Sequence, residues 1–513
     1  MILASFANWT FAQWPSSPDS AVFLGGYAEY KQALPDLHGG AYILWGTTQT
    51  NCARINRMGE VVWIEEQCLD SNLGDEVFHQ SIALSSDSCL LISYKTACYT
   101  VPPELGNAEV RVQKIDSLGN KLWDDGVIIT PENVTGAGLR VNSIISKVSE
   151  TTDGGAYVVW SDFSRSSRLM PDLYVQRLDD LGQVVWADSG IEVCQEVLIV
   201  NEAKTNYCGD LQIAYRRQES ESSTLLIQRY GPSGINRYDS LGVSFPSQNI
   251  EAIVFDSTGL IYGATNSTLF GLDTNGLDLW SIGRVFSNGI ERTLELLVDE
   301  TGGIIFLGQD IRGVRKTIVH YLDTDGIQRL GSDGLELFDG WAGDSRIVAD
   351  TDGFIITREA DTHFAIKIDY SGNYLWADTT VIYWQAQVGA GRPLAVSDSE
   401  GGLIYFFMEN FNLLVSHVNS DGTLGNFVSV NPALRVAPPS HQLISVFPNP
   451  FNPITTLQYE LASSSEASLI VYDIAGREVT TLISNDQTEG THSATWNGTD
   501  QCKLSKPPEL NEM

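Results

Sequence analysis

A four-residue corner recurs eight times along the 513-residue chain, and every copy ends in glycine. Seven copies begin with an acidic or amide residue: Asn56–Gly59, Asp116–Gly119, Asp179–Gly182, Asp273–Gly276, Asp323–Gly326, Asp369–Gly372 and Asn419–Gly422. The remaining copy, Gly231–Gly234, has lost its acid. From Gly59 to Gly422 the glycines recur at an average interval of about 52 residues, and a period of this size signals a repeat architecture.

Each corner lies between two apolar stretches that are typical of strands. In the clearest copy, Leu173–Leu178 precedes Asp179–Gly182, and Gln183–Trp186 follows it. The first residue of the corner can hydrogen-bond the backbone two residues further on, and the glycine tolerates positive φ, so the chain can reverse into a hairpin. A tryptophan stands four residues after the glycine in five copies, which indicates a repeated packing position: Trp63, Trp123, Trp186, Trp280 and Trp376.

A second turn signal precedes each corner, as in Asp153-Gly154-Gly155 and Glu400-Gly401-Gly402. One period is therefore strand, turn, strand, loop, strand, turn, strand. Four antiparallel strands in about 52 residues match a propeller blade, because helical repeats need a 3.6-residue periodicity that is not found here. The prediction is an all-β protein with a β-propeller of about eight four-stranded blades over residues 14–430. Seven blades with a stray sheet is the second choice, and a stack of two smaller propellers the third.

The charge balance limits the partners of this chain. With 31 Lys and Arg against 64 Asp and Glu, the formal net charge is −33. This disfavours nucleic acid and anionic membranes, which both attract positive surfaces. No stretch of 18 apolar residues exists, so no transmembrane segment is predicted. Residues 1–13 begin with a short apolar run, Met1–Ala7, and resemble the back half of a secretory signal peptide, although the basic region that usually precedes it is missing.

Seven cysteines bear on the cellular compartment. Six of them lie close together in sequence as three pairs: Cys52 and Cys68, Cys89 and Cys98, and Cys194 and Cys208. The seventh, Cys502, has no neighbour of this kind in sequence. Cys194 and Cys208 flank a predicted hairpin in the fourth repeat and are the best disulfide candidate. Disulfides would fit an exported protein, and isolated buried thiols are the alternative. None of the spacings is that of a zinc site.

The pattern changes after residue 430. Residues 431–442 form a proline-rich linker, and short alternating strands separated by turn residues then predict a small β-sandwich over residues 443–500. Residues 501–513 (QCKLSKPPELNEM) form an aberrant tail, because Pro507-Pro508 stands where a ladder strand would be expected. The sandwich is therefore expected to lack its last strands.

Three ordered motifs in this region carry a family resemblance. They are FPNPFNP, VYDIAGREVTTL and the run from Gly490 to Asp500, with the characteristic residues Pro448, Asn449, Pro450, Phe451, Asn452, Pro453, Tyr472, Asp473, Gly476, Arg477, Trp496, Gly498 and Asp500. The region resembles the C-terminal sorting domain of type IX secretion substrates, which is similar to the Ig-like domain of flagellar hook-capping proteins. The resemblance implies a secreted or cell-surface bacterial protein whose partner is the secretion machinery at the outer membrane. The preceding repeats loosely resemble propeller-like repeats of exported bacterial proteins.

No catalytic motif, metal-ligand set or cofactor fingerprint occurs in the sequence, so no cofactor is predicted. Asp323–Gly326 and Asp350–Gly353 hint at calcium loops, but they coincide with repeat turns, and turn chemistry explains them. Aromatic residues in loops could stack on a sugar: Trp341, Tyr383 and Trp384, with Arg392 nearby. Packing between blades is the alternative role for these side chains.

Three functions remain open on this basis. The first is an exported, non-catalytic propeller that binds a ligand, such as a glycan or a surface protein, or serves for surface display. The second is a secreted carbohydrate-active enzyme on a propeller scaffold. The third is a structural or adhesive surface protein. Propellers host many functions, so the fold alone does not choose among them.

Overall fold

A computed structural model was obtained for the chain, which divides into two compact units, Met1–Asn426 and Phe427–Met513. In the first unit it describes residues 14–16, 21–26, 30–46, 50–65, 68–69, 76–97, 108–130, 146–162, 170–218, 223–238, 242–245, 250–265, 268–280, 284–285, 290–310, 315–339, 345–359, 362–376, 379–383, 393–409 and 412–425. In the second unit it describes residues 442–447, 455–461, 465–472, 478–487 and 490–496. Among these residues all regular structure is β, and none forms a helix that could cross a membrane.

The first unit consists of eight four-stranded antiparallel sheets, the blades. Blade 1 comprises β2 (Tyr30–Pro35), β3 (Ala41–Gly46), β4 (Thr50–Ile55) and β5 (Val61–Glu65), and blade 2 comprises β6 (Glu76–Leu84), β7 (Leu90–Ala97), β8 (Ala108–Ile115) and β9 (Val127–Ile128). Blade 3 comprises β10 (Ser146–Glu150), β11 (Ala156–Asp162), β12 (Asp172–Leu178) and β13 (Ile191–Cys194), and blade 4 comprises β14 (Val197–Thr205), β15 (Leu211–Gln218), β16 (Ser223–Tyr230) and β17 (Val243–Ser244). Blade 5 comprises β18 (Ala252–Phe255), β19 (Ile261–Ala264), β20 (Thr268–Leu272) and β21 (Arg284–Val285). Blade 6 comprises β22 (Ile290–Val298), β23 (Ile304–Asp310), β24 (Lys316–Leu322) and β25 (Leu335–Asp339). Blade 7 comprises β26 (Arg346–Asp350), β27 (Gly353–Glu359), β28 (His363–Asp369) and β29 (Thr380–Tyr383).

Blade 8 takes its strands from both ends of the unit. It comprises β30 (Leu394–Ser397), β31 (Leu403–Glu409), β32 (Asn412–Val418) and, as its outermost strand, β1 (Val22–Gly25). Val22 pairs with Val415 and Phe23 with Leu414. The first strands of successive blades lie side by side around the ring, and β30 lies beside β2. The eight-bladed prediction is confirmed, and the seven-bladed alternative is wrong because β1 completes the last blade.

The apolar core lies between neighbouring blades, which explains why the middle strands are apolar on both faces. Tyr157 and Val159 of β11 pack against Ile213 and Tyr215 of β15, and similar clusters occur at other blade interfaces. Each middle strand alternates between the two interfaces. Within β31, for example, Tyr405 and Phe407 face blade 7, whereas Phe406 faces blade 1.

The eight corners form the predicted turns. All eight glycines have positive φ, between 71° and 91°, and each donates its N–H to the carbonyl of the first corner residue. In six copies, Oδ1 of the first residue also accepts the N–H groups two and four residues further on. This includes Asp323, and Asp350 is engaged by Lys367, so both suspected calcium runs serve structural roles.

One strand prediction next to the corner is wrong. After Asp179–Gly182, only Val184 makes a single bridge, to Leu178, and the fourth strand β13 begins at Ile191. The same bridge occurs after six further corners. The apolar residues of this stretch therefore do not build a strand; one of them is the repeated tryptophan.

In four blades, that tryptophan makes a contact with the next blade. The indole N–H of Trp63, Trp123, Trp186 and Trp376 donates to the carbonyl of the second corner residue in the following blade, at 2.8 to 3.2 Å. A Cβ on the corner glycine of that blade would meet the indole ring, so the glycine also provides close approach. The predicted packing position is confirmed as a contact between blades.

Trp14 supplies the same contact where the ring closes. Its indole N–H donates to the carbonyl of Arg57, the second corner residue of blade 1, at 2.9 Å, and its ring lies against Gly59. Trp14 is 2% exposed and stacks on His417 of blade 8 at a ring distance of 5.3 Å. The N-terminal segment therefore provides blade 8 with both its outer strand and its tryptophan.

A second contact between blades uses a basic residue two positions before the corner. In six blades this residue pairs with an acid in the first turn of its own blade: Arg54, Lys114, Arg177, Arg229, Lys367 and His417. Four of them also donate to a backbone carbonyl of the next blade, as Lys367 Nζ does to Gly401 at 2.9 Å. The acids of these first turns therefore hold basic side chains that, in four of the blades, also contact the next blade.

The disulfide prediction is wrong. The structure pairs Cys52 with Cys68, whose Cα atoms are 5.9 Å apart, and leaves Cys194 and Cys208 free. Cys194 ends β13 and Cys208 follows β14, so the whole of β14 separates them. A nine-residue strand spans about 30 Å, far beyond the reach of a disulfide.

Reduction of this disulfide is expected to destabilise blade 1. The bridge closes a 16-residue separation, and loss of such a cross-link costs about 2–4 kcal/mol through the entropy of the unfolded chain. Urea unfolding of the double variant Cys52→Ala/Cys68→Ala should show this loss. Cys194→Ser is the matched control, and an equal loss in that variant would contradict the assignment.

The described residues of the second unit form five strands. β33 (Gln442–Phe447), β34 (Thr455–Leu461) and β37 (Gly490–Trp496) form a three-stranded sheet, and β35 (Ser465–Tyr472) and β36 (Glu478–Gln487) form a two-stranded sheet. Tyr472 ends β35 and Trp496 ends β37. The other motif residues (448–453, 473, 476, 477, 498 and 500) lie outside the described residues, as do residues 1–13 and 501–513.

Candidate functional site

In sequence, the candidates for ligand stacking lie just before and just after the strands of blade 7, or at the end of its last strand. Tyr383 is the last residue of β29 and stands opposite His363 in the ladder. Trp341, Trp384 and Arg392 lie outside the described residues. In sequence, Trp341 precedes β26, and Trp384 and Arg392 lie between β29 and β30. The described part of this region is therefore the set of strand ends that these segments join.

Ionisable side chains gather at those strand ends. Arg346 begins β26, Glu359 ends β27 and His363 begins β28. Glu359 and His363 are ladder partners and share a face with Ile355, which packs toward blade 8. By strand alternation Glu409, at the end of β31, shares a face with Tyr405 and Phe407, which pack toward blade 7. The interface between blades 7 and 8 therefore ends in two carboxylates on facing strands.

His363 is enclosed by aromatic rings. It is 1% exposed, its Nδ1 lies 2.9 Å from the hydroxyl of Tyr405, and its ring centre lies 4.9 Å from that of Phe407. Its Nε2 has no hydrogen-bond partner among the described residues, and neither do Ser345 Oγ and Thr357 Oγ1. Burial, reinforced by the charge of Lys31, lowers the pKa of His363 to about 4.

Two further groups extend this set to blades 1 and 6. Burial lowers the pKa of Lys31, on β2, to about 8, although the charge of Glu359 opposes the shift. Burial raises the pKa of Glu295, on β22, and its Oε2 accepts the N–H of Ile347 at 2.9 Å. Lys31, Glu295 and His363, in blades 1, 6 and 7, thus have pKa values that are shifted by burial.

His363 is expected to make the propeller acid-sensitive. In the unfolded chain the imidazole binds a proton below its ordinary pKa of 6.5, whereas in the folded chain it does so only near 4. Stability is therefore lost as the pH falls from about 6.5 to about 4, by up to roughly 3 kcal/mol. Urea unfolding of His363→Gln across this range should lack that loss. An unchanged slope with pH would show that other groups cause it.

A separate cleft lies between blades 4 and 5. It has a volume of about 670 Å³ and is lined by residues of the first turn, the corner and the fourth strand of blade 4 and by the corner of blade 5: Cys208, Asp210, Arg229, Arg237, Tyr238, Gly242, Val243, Thr274 and Asn275. Its size suits a small molecule of one or two rings. None of these residues was predicted from the sequence to bind a ligand.

Two arginines share one carboxylate in this cleft. Arg229 Nε lies 2.9 Å from Asp210 Oδ2, and Arg237 Nη2 lies 3.2 Å from Asp210 Oδ1. Arg229 also donates to the carbonyl of Thr274 in blade 5 at 2.8 Å. The side chain of Asp210 is 5% exposed, whereas that of Arg237 is 47% exposed. The cleft therefore presents a guanidinium group to solvent.

The loss of the corner acid at Gly231 was the sequence signal for this cleft. A Cβ at Gly231 would stand 2.6 Å from Nη2 of Arg237, so the missing side chain makes room for the guanidinium. The missing corner acid thus allows Arg237 to take a new position, whereas the sequence alone shows only that this copy of the corner has lost its acid.

Residues 453–503 match the family of the FlgD Ig-like domain, the Ig-like domain of hook-capping type. No curated protein matches the chain. Solved structures that are similar to it include the following three. They are a puromycin hydrolase (10% identity, TM-score 0.41, 88% of this chain and 62% of that one), the polysaccharide lyase Uly1 (13%, 0.39, 81% and 94%) and an α-L-arabinanase from Penicillium chrysogenum (14%, 0.34, 61% and 97%). The chain thus spans less than two thirds of the puromycin hydrolase, and at these identities the similarity concerns the fold only.

Proposed function

We propose that this chain is an exported bacterial protein whose propeller binds a ligand, such as a glycan or a surface protein, without transforming it. Its Ig-like region serves as a type IX sorting domain. The observation that carries the proposal is the Ig-like match at residues 453–503, which follows a closed eight-bladed ring and overlaps the three sorting motifs. The buried Cys52–Cys68 disulfide supports export, since disulfides persist in oxidising compartments.

Export is tested with the full chain in a bacterium that has the type IX apparatus and in the same strain lacking it. We expect surface protein only when the apparatus is present, and less of it in the variant Trp496→Ala, which alters the last sorting motif. Equal amounts at the surface of both strains would refute the sorting role.

A carbohydrate-active enzyme is the second candidate. It is favoured by one observation, the carboxylates of Glu359 and Glu409 at the facing strand ends of blades 7 and 8, because glycoside hydrolysis uses a pair of such groups. Release of reducing sugar from glycans by the wild type, and its loss in both Glu359→Gln and Glu409→Gln, would establish this function in place of pure binding. A structural or adhesive role would instead be recognised by self-association of the purified chain in the absence of any glycan.

A further inference from the structure

The cleft between blades 4 and 5 is where the repeat changes its charge pattern. In the other described pairs, the cation two residues before the corner meets one acid of the first turn or, as with Lys367, two. In blade 4 the acid Asp210 instead meets two cations, Arg229 and Arg237. The group thus carries a formal excess of one positive charge in a chain whose net charge is −33.

Blade 6 shows what the same position does in an unaltered repeat. Arg329 stands three residues after the corner glycine, as Arg237 does in blade 4. Its guanidinium pairs with the corner acid Asp323, at 2.7 Å from Nε. In blade 4 that acid is replaced by Gly231, so Arg237 extends over the turn and into the cleft. The exchange of one acid for glycine has moved the arginine from its own corner acid to Asp210 in the cleft, where its side chain is 47% exposed.

The exposed guanidinium sets the chemistry of the ligand. A guanidinium group binds carboxylates through two parallel hydrogen bonds, and this geometry favours a carboxylate over a neutral group. The hydroxyl and amide groups of Thr274 and Asn275 line the same cleft and suit a hydroxylated ligand. Tyr207, next to the lining residue Cys208, is 71% exposed and offers an aromatic face for a sugar ring.

A smaller cavity between blades 5 and 6 provides a contrast. It has a volume of about 250 Å³, and its lining includes Asp256, Asp299 and Glu300 with a single cation, Lys204. This surplus of acids disfavours anions. Of these two cavities, only the one at Arg237 has a surplus of positive charge.

We infer that the cleft between blades 4 and 5 is a binding site for a saccharide that carries a carboxylate, with Arg237 as the group that holds the carboxylate. This inference rests on the proposed binding function and specifies its ligand class. It needs no chemical transformation of the ligand.

The test is isothermal titration of the full chain with trigalacturonate, a short acidic oligosaccharide, and with neutral galactotriose. Wild-type protein should bind the acidic sugar and not the neutral one. Arg237→Gln should weaken binding roughly tenfold to a hundredfold, as expected for the loss of charge-assisted hydrogen bonds. Gly231→Asp should weaken it by a similar factor, because the restored corner acid would displace and pair the guanidinium as Asp323 does in blade 6.

Arg329→Gln is the matched control, since it removes the equivalent arginine outside the cleft, and it should leave binding unchanged. Thermal unfolding of each variant verifies that the ring is intact. Three results would overturn the inference: no binding of trigalacturonate, equal loss in Arg329→Gln, or complete competition by inorganic sulfate at equal concentration, which would indicate a simple anion site. Binding of neutral glycans that is independent of Arg237 would also overturn it, yet would leave the proposed binding function standing.

Discussion

Replacement of Lys367 by methionine is expected to destabilise the propeller by about 3–5 kcal/mol, because it removes one partner of a buried ion pair. The Lys367 side chain is 2% exposed, and its Nζ lies 2.7 Å from Asp350 Oδ2. The Asp350 side chain is only 6% exposed, so without Lys367 its carboxylate would be buried beside the exposed Asp352. The lost hydrogen bond to the Gly401 carbonyl would also weaken the contact between blades 7 and 8.

Urea unfolding measures this loss, and Lys316→Met provides the control. Lys316 pairs with Glu336 at the surface, where the Glu336 side chain is 58% exposed, so its loss should be much less destabilising than the loss of Lys367. The double variant Lys367→Met/Asp350→Asn should recover part of the stability, because no unpaired carboxylate is then buried at position 350. A loss in Lys367→Met no larger than in Lys316→Met would show that the buried pair does not hold the blades together.

Replacement of Trp14 by alanine is expected to cost about 3–5 kcal/mol, the range for a buried aromatic side chain. The indole fills the junction between blades 8 and 1, where it stacks on His417 and bonds the Arg57 carbonyl. Trp14→Phe should recover most of the packing and lose about 1 kcal/mol for the missing hydrogen bond. Differential scanning calorimetry distinguishes the two variants.

The control for Trp14 is Trp496→Ala, which alters the Ig-like region and should leave the propeller transition in place. If Trp14→Ala unfolds at the same temperature as the wild type, the N-terminal segment does not close the ring. A selective loss in Trp14→Ala would establish that residues before the first strand belong to the fold.

The fold was largely predictable because each turn is determined by a few neighbouring residues and the same turn signal recurs in every blade. Positive φ requires glycine at positions such as Gly182, and the acid before it satisfies backbone N–H groups, so each corner identifies itself in the sequence. The closure of blade 8 was harder to foresee, because Val22 and Val415 pair across almost the whole unit and β1 carries no corner of its own. The disulfide was predicted wrongly because Cys194 and Cys208 are close in sequence, whereas the whole of strand β14 lies between them in the structure.

The candidate sites were less predictable than the fold. Tyr383 was named from its aromatic character and does lie opposite His363, but the buried environment of that histidine comes from Tyr405 and Phe407, over forty residues away in sequence. In the cleft, the position of the Arg237 guanidinium depends on the absence of a side chain at Gly231, because a Cβ there would stand 2.6 Å from Nη2. A single missing side chain leaves little trace in composition, whereas it changes which charges meet in space.

The two ends of the ring meet at one point. An added Cβ on Gly425, at the end of blade 8, would stand 3.1 Å from Cα of Ser16, so the chain enters and leaves the propeller side by side. Because similar contacts join the blades at six of the eight junctions, the ring does not require that its chain begin beside blade 8. The closed circle could therefore be opened between any two blades, and the closing strand moved to another sheet, without a change in the architecture.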